Sequence, residues 1–191
     1  MVRTRIPTST SQERPMLMST EDLRGAAANA WAEARPDAPA PTVRFFESLH
    51  EQNPDAPIAM FHRARALDFS GRADLALPFY EAAFDAGLDG EELRRAFAGR
   101  GSTLRNLGRM EESVEILAEG HWRFPDDVVI RCYLALAMHS AGRSAPALAL
   151  MLDLAVERID DPDLTAGTRA LRNYAAALRN GYWTPDGGAG R

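Results

Sequence analysis

Hydrophobic positions along the chain recur every third or fourth residue in one segment after another, and the two-residue alternation of a half-buried strand is absent. A period near 3.6 lines apolar side chains along one face of a helix. The body of the chain, from about residue 20 to residue 183, is therefore expected to be all helix. Three short interruptions organise it: Ser70-Gly71-Arg72, Leu107-Gly108-Arg109 and Ala141-Gly142-Arg143. A glycine at each lets one helix stop and the chain turn at once into another. These glycines stand 37 and 34 residues apart, a spacing that calls for a repeat.

Aligning the chain on the three glycines brings the flanks into register. Seven residues before the turn stand Ala64, Gly101 and Ala135, and four before stand Leu67, Leu104 and Met138. Five, nine and twelve residues after it stand Ala76, Tyr80 and Ala83, then Ser113, Leu117 and Gly120, then Ala147, Met151 and Leu154. Each unit reads as a helix, a tight turn and an antiparallel helix, with small residues allowing a close approach. Gly101 marks a contact that a larger side chain would overpack.

This arrangement resembles the tetratricopeptide repeat. The resemblance rests on the small, large, Gly, Ala, aromatic and Ala positions just given, and on Pro125 closing the middle unit within Arg123-Phe124-Pro125-Asp126-Asp127. It covers residues 57–160 in good register. The runs Phe79-Tyr80-Glu81-Ala82-Ala83 and Gly101-Ser102-Thr103-Leu104-Arg105-Asn106-Leu107-Gly108-Arg109 are similar to those of small bacterial single-domain members without a settled role. The resemblance implies a right-handed superhelix of antiparallel helix pairs. Two departures stand out: Arg63 and Arg100, eight residues before the turn, occupy a site where the repeat usually carries a large apolar residue, as Leu134 does. Either their stems pack while the heads reach water, or those helices are rotated.

The flanks extend the array. Glu21 to Arg35, capped by Ser19 or Thr20, and Thr42 to Asn53 form a degenerate unit over 20–56. Units at 57–90, 91–127 and 128–161 follow, and a helix over 164–181 caps the stack, since a terminal repeat otherwise exposes its apolar face. The expectation is about nine helices in a domain over 20–183, between disordered tails at 1–19 and 184–191.

Charge changes the picture next. The 191 residues carry a formal net charge of -5, and every one of the 22 cationic side chains is Arg. The first tail holds three Arg and Glu13, the last holds Asp186 and Arg191, so the body stands near -7. A broad nucleic-acid surface is not expected. The longest apolar stretch, Ala145 to Leu152, is far short of a membrane span, and the single cysteine, Cys132, suits a reducing cytoplasm.

Catalytic chemistry finds little support. His50, His62, His121 and His139 never fall three or four apart, so no helical metal pair forms. No phosphate-loop run exists, and Asp160-Asp161-Pro162-Asp163 lacks the rest of a calcium loop. Cys132 and His139 lie seven apart, roughly 10 Å along a helix, too far for direct proton transfer. No cofactor, metal or catalytic residue is assigned.

The resemblance implies instead a concave groove lined by successive first helices. By register its row contains Phe61, Arg65, Asp68 and Phe69, then Arg95, Ser102, Arg105 and Asn106, with His139 from the third unit and Arg172 and Arg179 from the terminal helix. Ile58, Ala98, Val129, Cys132, Leu136, Ser140, Arg169, Ala176 and Asn180 complete it. Arg dominates this row, against Asp68 as its one acid, on an acidic body. The expected function is a non-catalytic cytoplasmic adaptor binding a protein or peptide, either an acidic segment or a C-terminal carboxylate. The plain alternative is that a lysine-free chain puts Arg on any helix surface. The Lys and Asn carboxylate clamp of chaperone-binding members is missing, since Phe61, Arg65, Ser102 and Val129 stand at its sites. A secretion-type or general chaperone, an RNA or nucleotide binder and an enzyme around Cys132 remain open, as does a homo-oligomer, with Tyr182 and Trp183 suited to a terminal packing surface.

Overall fold

The computed structural model describes residues 18–181. Among these the chain forms nine helices and no strand: α1 (Thr20–Ala32), α2 (Ala40–Gln52), α3 (Pro57–Phe69), α4 (Ala73–Asp85), α5 (Gly90–Asn106), α6 (Met110–Arg123), α7 (Val128–Ser140), α8 (Ser144–Arg158) and α9 (Pro162–Asn180). Ser19 caps α1 by accepting the Asp22 N–H, and Asp127 and Asp161 cap α7 and α9 in the same way.

The three repeat turns share one geometry. Gly71, Gly108 and Gly142 have φ of 78°, 78° and 77°, the left-handed region that a side chain disfavours. In each turn the glycine N–H and the following Arg N–H return to carbonyls of the last helical turn, as Gly71 does to Asp68 at 2.9 Å and Arg72 to Leu67 at 2.9 Å. This is the Schellman closure; it satisfies the orphan carbonyls and launches the second helix antiparallel to the first.

Small residues sit where the helices meet. Ala64 and Ala76 are fully buried, and a Cβ on Gly101 would fall 2.6 and 2.7 Å from the two methyl carbons of Leu117, itself fully buried. Arg63 and Arg100 pack through their stems: the Arg63 guanidinium lies 4.3 Å over the Phe79 ring and reaches Glu47 at 3.2 Å, and Arg100 lies over Phe84 and near Glu81. A continuous apolar core runs from Leu23 in α1 to Ala137 in α7.

The layer of first helices stops at α7. α1 touches α3, α3 touches α5 and α5 touches α7, whereas α9 touches α8 alone. Ala175 and Leu178 pack on Ala149 of α8, seven residues after the turn glycine. The earlier units carry exposed Pro78 and Glu115 at that position. An alanine on what is elsewhere the outer face therefore draws α9 to that side, and α9 does not take the place of a fifth helix in that layer.

Candidate functional site

The layer of first helices frames a cavity of about 370 Å³ with Phe61 and Arg65 from α3, Arg94, Arg95 and Ala98 from α5 and Val129 and Tyr133 from α7. Its floor is local sequence made visible. A Cβ on Gly99 would lie 2.7 Å from Cζ of Tyr80, so glycine at this place in α5 admits the buried ring of α4 beneath it. Burial, with Asp68 nearby, pushes the Tyr80 phenol above its ordinary range and keeps it neutral. An adjoining hollow of about 460 Å³ adds Trp31, Ala34, Phe69 and Asn106 and shares Arg65, Asp68 and Ser102. The two make one groove.

Among the described residues the cations of the groove are not equally engaged. Arg94 pairs with Asp127 and Glu91, and Arg95 pairs with Glu91 at 2.9 Å. Arg65 joins none of the ion pairs among the described residues. Its guanidinium lies 4.0 Å from the Trp31 ring centroid, and burial followed by the nearby Arg95 lowers its pKa. Burial raises the Asp68 carboxyl, against the pull of the Thr103 hydroxyl.

Trp31 is held from behind. Its indole N–H donates to Nδ1 of His62 at 3.1 Å, its ring stacks on Phe46 with centroids 5.0 Å apart, and Phe69 meets it edge-on at 5.6 Å. An Nδ1 that accepts is unprotonated, and burial lowers the His62 pKa to about 4, so the imidazole is neutral near pH 7. The platform under Arg65 is thus rigid and uncharged.

Of the residues expected from sequence, Phe61, Arg65, Asp68, Phe69, Arg95, Ser102 and Asn106 come together in this groove. Arg105 is half-buried outside the two hollows, with its Nε unpartnered. Because α9 leaves the layer, Arg172 is exposed on α9 and Arg179 pairs with Asp153. His139 and Cys132 line a different hollow, between α7 and α8, where His139 Nδ1 lies 3.0 Å from the Ser144 hydroxyl. Within the two hollows the cation outside the ion pairs of the described residues is therefore Arg65, since Glu91 and Asp127 engage Arg94 and Arg95; Arg105 and Arg172 are also outside those pairs but lie away from the hollows.

Sequence reasoning missed Trp31, Arg94 and Tyr80 as groove residues. Arg94 precedes Arg95 and Tyr80 lies on the second-helix stripe, so both had a signal; Trp31 comes from outside the regular units and had none. Among the described residues no group of three His, Cys, Asp or Glu could hold a metal ion, and no helix is long and apolar enough to cross a membrane.

Comparison with known proteins agrees with the helix pairs. No curated protein and no solved structure matches the chain significantly. A family model described as the tetratrico peptide repeat matches residues 57–178, the three regular units and most of α9. By that match and by the Schellman turns and interlocked small residues of its helix pairs, the chain belongs to the tetratricopeptide repeat family, whose repeats serve in general as scaffolds for protein interaction.

Proposed function

We propose that the chain is a non-catalytic cytoplasmic adaptor that holds a short segment of a protein partner in the groove over α3 and α5, with an acidic side chain or a C-terminal carboxylate at Arg65. One observation carries this reading: Arg65 is largely desolvated on Trp31 yet has no carboxylate partner among the described residues. Its neighbours Arg94 and Arg95 are already neutralised. A guanidinium held flat by an aromatic platform presents its fork in a fixed direction, which suits bidentate contact with a carboxylate. Val129 and Tyr133 offer apolar surface beside it for the adjoining side chain.

Fluorescence anisotropy with labelled peptides that end in Asp or Glu, each with a free or an amidated C-terminus, tests the reading. Arg65→Gln is expected to weaken binding by about tenfold to a hundredfold, the range of a lost charge-assisted hydrogen-bond pair. Arg172→Glu, on α9, is expected to leave it unchanged. If no acidic peptide binds in an Arg65-dependent way, the assignment of the groove fails. The free and amidated series separates a terminal carboxylate from an acidic side chain.

A further inference from the structure

The third unit leaves open what the first two close. Six residues after the turn glycine stand Leu77, Val114 and Leu148, and nine after stand Tyr80, Leu117 and Met151. Leu77 and Val114 are each 6% exposed and Leu148 is 52%; Tyr80 and Leu117 are buried and Met151 is 38% exposed. In the first unit the cover over Tyr80 is supplied by the next first helix, through Gly99. Among the described residues α7 and α8 receive no such helix, because α9 packs on the Ala149 side of α8 and does not reach α7. What remains is an apolar trough of about 510 Å³ between α7 and α8, with Leu136, Leu148 and Met151 on its surface and Cys132 and His139 in its lining.

We propose that Tyr182 and Trp183 of the same chain dock in this trough and close the stack where a further first helix would have lain. Three observations select this occupant. Leu178 packs near Leu152 and Arg179 pairs with Asp153, so α9 ends level with the trough, across α8 from it. Gly181 then adopts φ 70° and turns the chain off the helix axis. Trp183 follows two residues later, which is about 7 Å of extended chain plus the length of the indole, against a helix roughly 10 Å across.

The second observation is size. Leu136, Leu148 and Met151 are 46%, 52% and 38% exposed, a small apolar patch. A Tyr and a Trp can bury about 150–250 Å² each, enough to cover three half-exposed side chains. A stable interface between separate proteins buries roughly 800 Å² on each partner, far more than the trough offers a second copy. The third is connection: a tethered segment has an effective concentration in the millimolar range, so a small apolar contact suffices.

Cys132 supplies the assay, because it is the single cysteine and lines the trough. Its rate of modification by a chromogenic disulfide reagent is measured in the full chain and in the Tyr182→Ser, Trp183→Ser double variant, at two protein concentrations. The double variant is expected to react about tenfold faster, equivalent to about 1.4 kcal/mol of docking free energy, with unchanged helix content by circular dichroism. Equal rates in the two chains overturn the proposal. Protection that grows with protein concentration also overturns it, since a second copy then covers the trough. An independent readout is the emission of Trp183, taken as the difference between the full chain and Trp183→Phe. It is expected to be blue-shifted and to move to the red in Leu148→Ser; solvent-like emission in the unaltered chain overturns docking.

Discussion

The same chemical change, Gly to Ala, should act with opposite sign at two helical positions. Gly25 in α1 is exposed, and a Cβ there would have nothing within 4 Å. Ala is better than Gly inside a helix by about 0.8–1.0 kcal/mol, so Gly25→Ala should stabilise the chain by nearly that amount. Gly101 in α5 gains the same propensity but places its methyl 2.6 and 2.7 Å from the Leu117 methyl carbons. Ordinary carbon contacts lie at about 3.5–4.0 Å, so helices α5 and α6 must part or Leu117 must leave its rotamer. Overpacking of this kind costs about 1–3 kcal/mol, which outweighs the propensity gain and leaves a net loss of about 1 kcal/mol.

The assay is urea unfolding followed by helix circular dichroism, with the slope of the transition checked for constancy. Two further variants identify the contact. Leu117→Ala alone should cost about 2–5 kcal/mol through the cavity it opens. Gly101→Ala placed in that background should no longer destabilise, because its methyl enters the vacated space, and the coupling between the two sites should be at least about 1 kcal/mol. If Gly101→Ala stabilises as much as Gly25→Ala does, α5 and α6 are not in close contact and the packing account of the repeat is refuted.

Other outcomes follow from single features. Burial holds folded His62 near pKa 4, below the unfolded value of 6.5, so the unfolded chain takes up the proton first as the pH falls. Stability should therefore be retained above about pH 6.5 and decline toward pH 4, by about 2 kcal/mol at pH 5, and His62→Gln should flatten urea midpoints between pH 5 and pH 7. Gly108→Ala should cost about 1–2 kcal/mol from its backbone alone, since φ is 78° and a Cβ meets nothing within 4 Å; an unchanged thermal midpoint would remove the Schellman turn from the explanation. Arg24→Gln should weaken the tie of α1 to Glu92, which Arg24 contacts at 2.9 Å, by less than about 1 kcal/mol given its exposure. That loss should shrink in high salt.

The repeat was legible because its signals are local. A glycine that must take positive φ, a small residue one helical face away and an apolar stripe at 3.6-residue spacing are all fixed within one unit, as at Gly108, Gly101 and Leu117. The direction of α9 was not legible from its own stripe: Leu171, Ala175 and Leu178 say which face is buried but not against what. The partner is chosen by Ala149 on α8, whose counterparts Pro78 and Glu115 are unsuited to packing. For the same reason Arg65 and Arg95 were readable as groove residues by register, while Arg172 and Arg179 followed α9 elsewhere. Charge was hardest to read, because an Arg in a row is indistinguishable by spacing from one already met by an acid on another helix, as Arg94 is by Asp127.

α1 deserves a different description from the rest of its unit. Its Trp31 end is fastened to α3 through His62 and Phe69, and its Arg24 reaches across to Glu92 on α5. One helix thus spans two successive units and works as a brace across their junction, limiting how far α3 and α5 can hinge apart. The family match begins at residue 57, downstream of this brace. A fragment cut at that point would keep every regular unit and lose the Trp31 ring on which Arg65 is laid, leaving its guanidinium free to rotate where the whole chain directs it. The boundary of the family match and the boundary of the groove are therefore different places in this sequence.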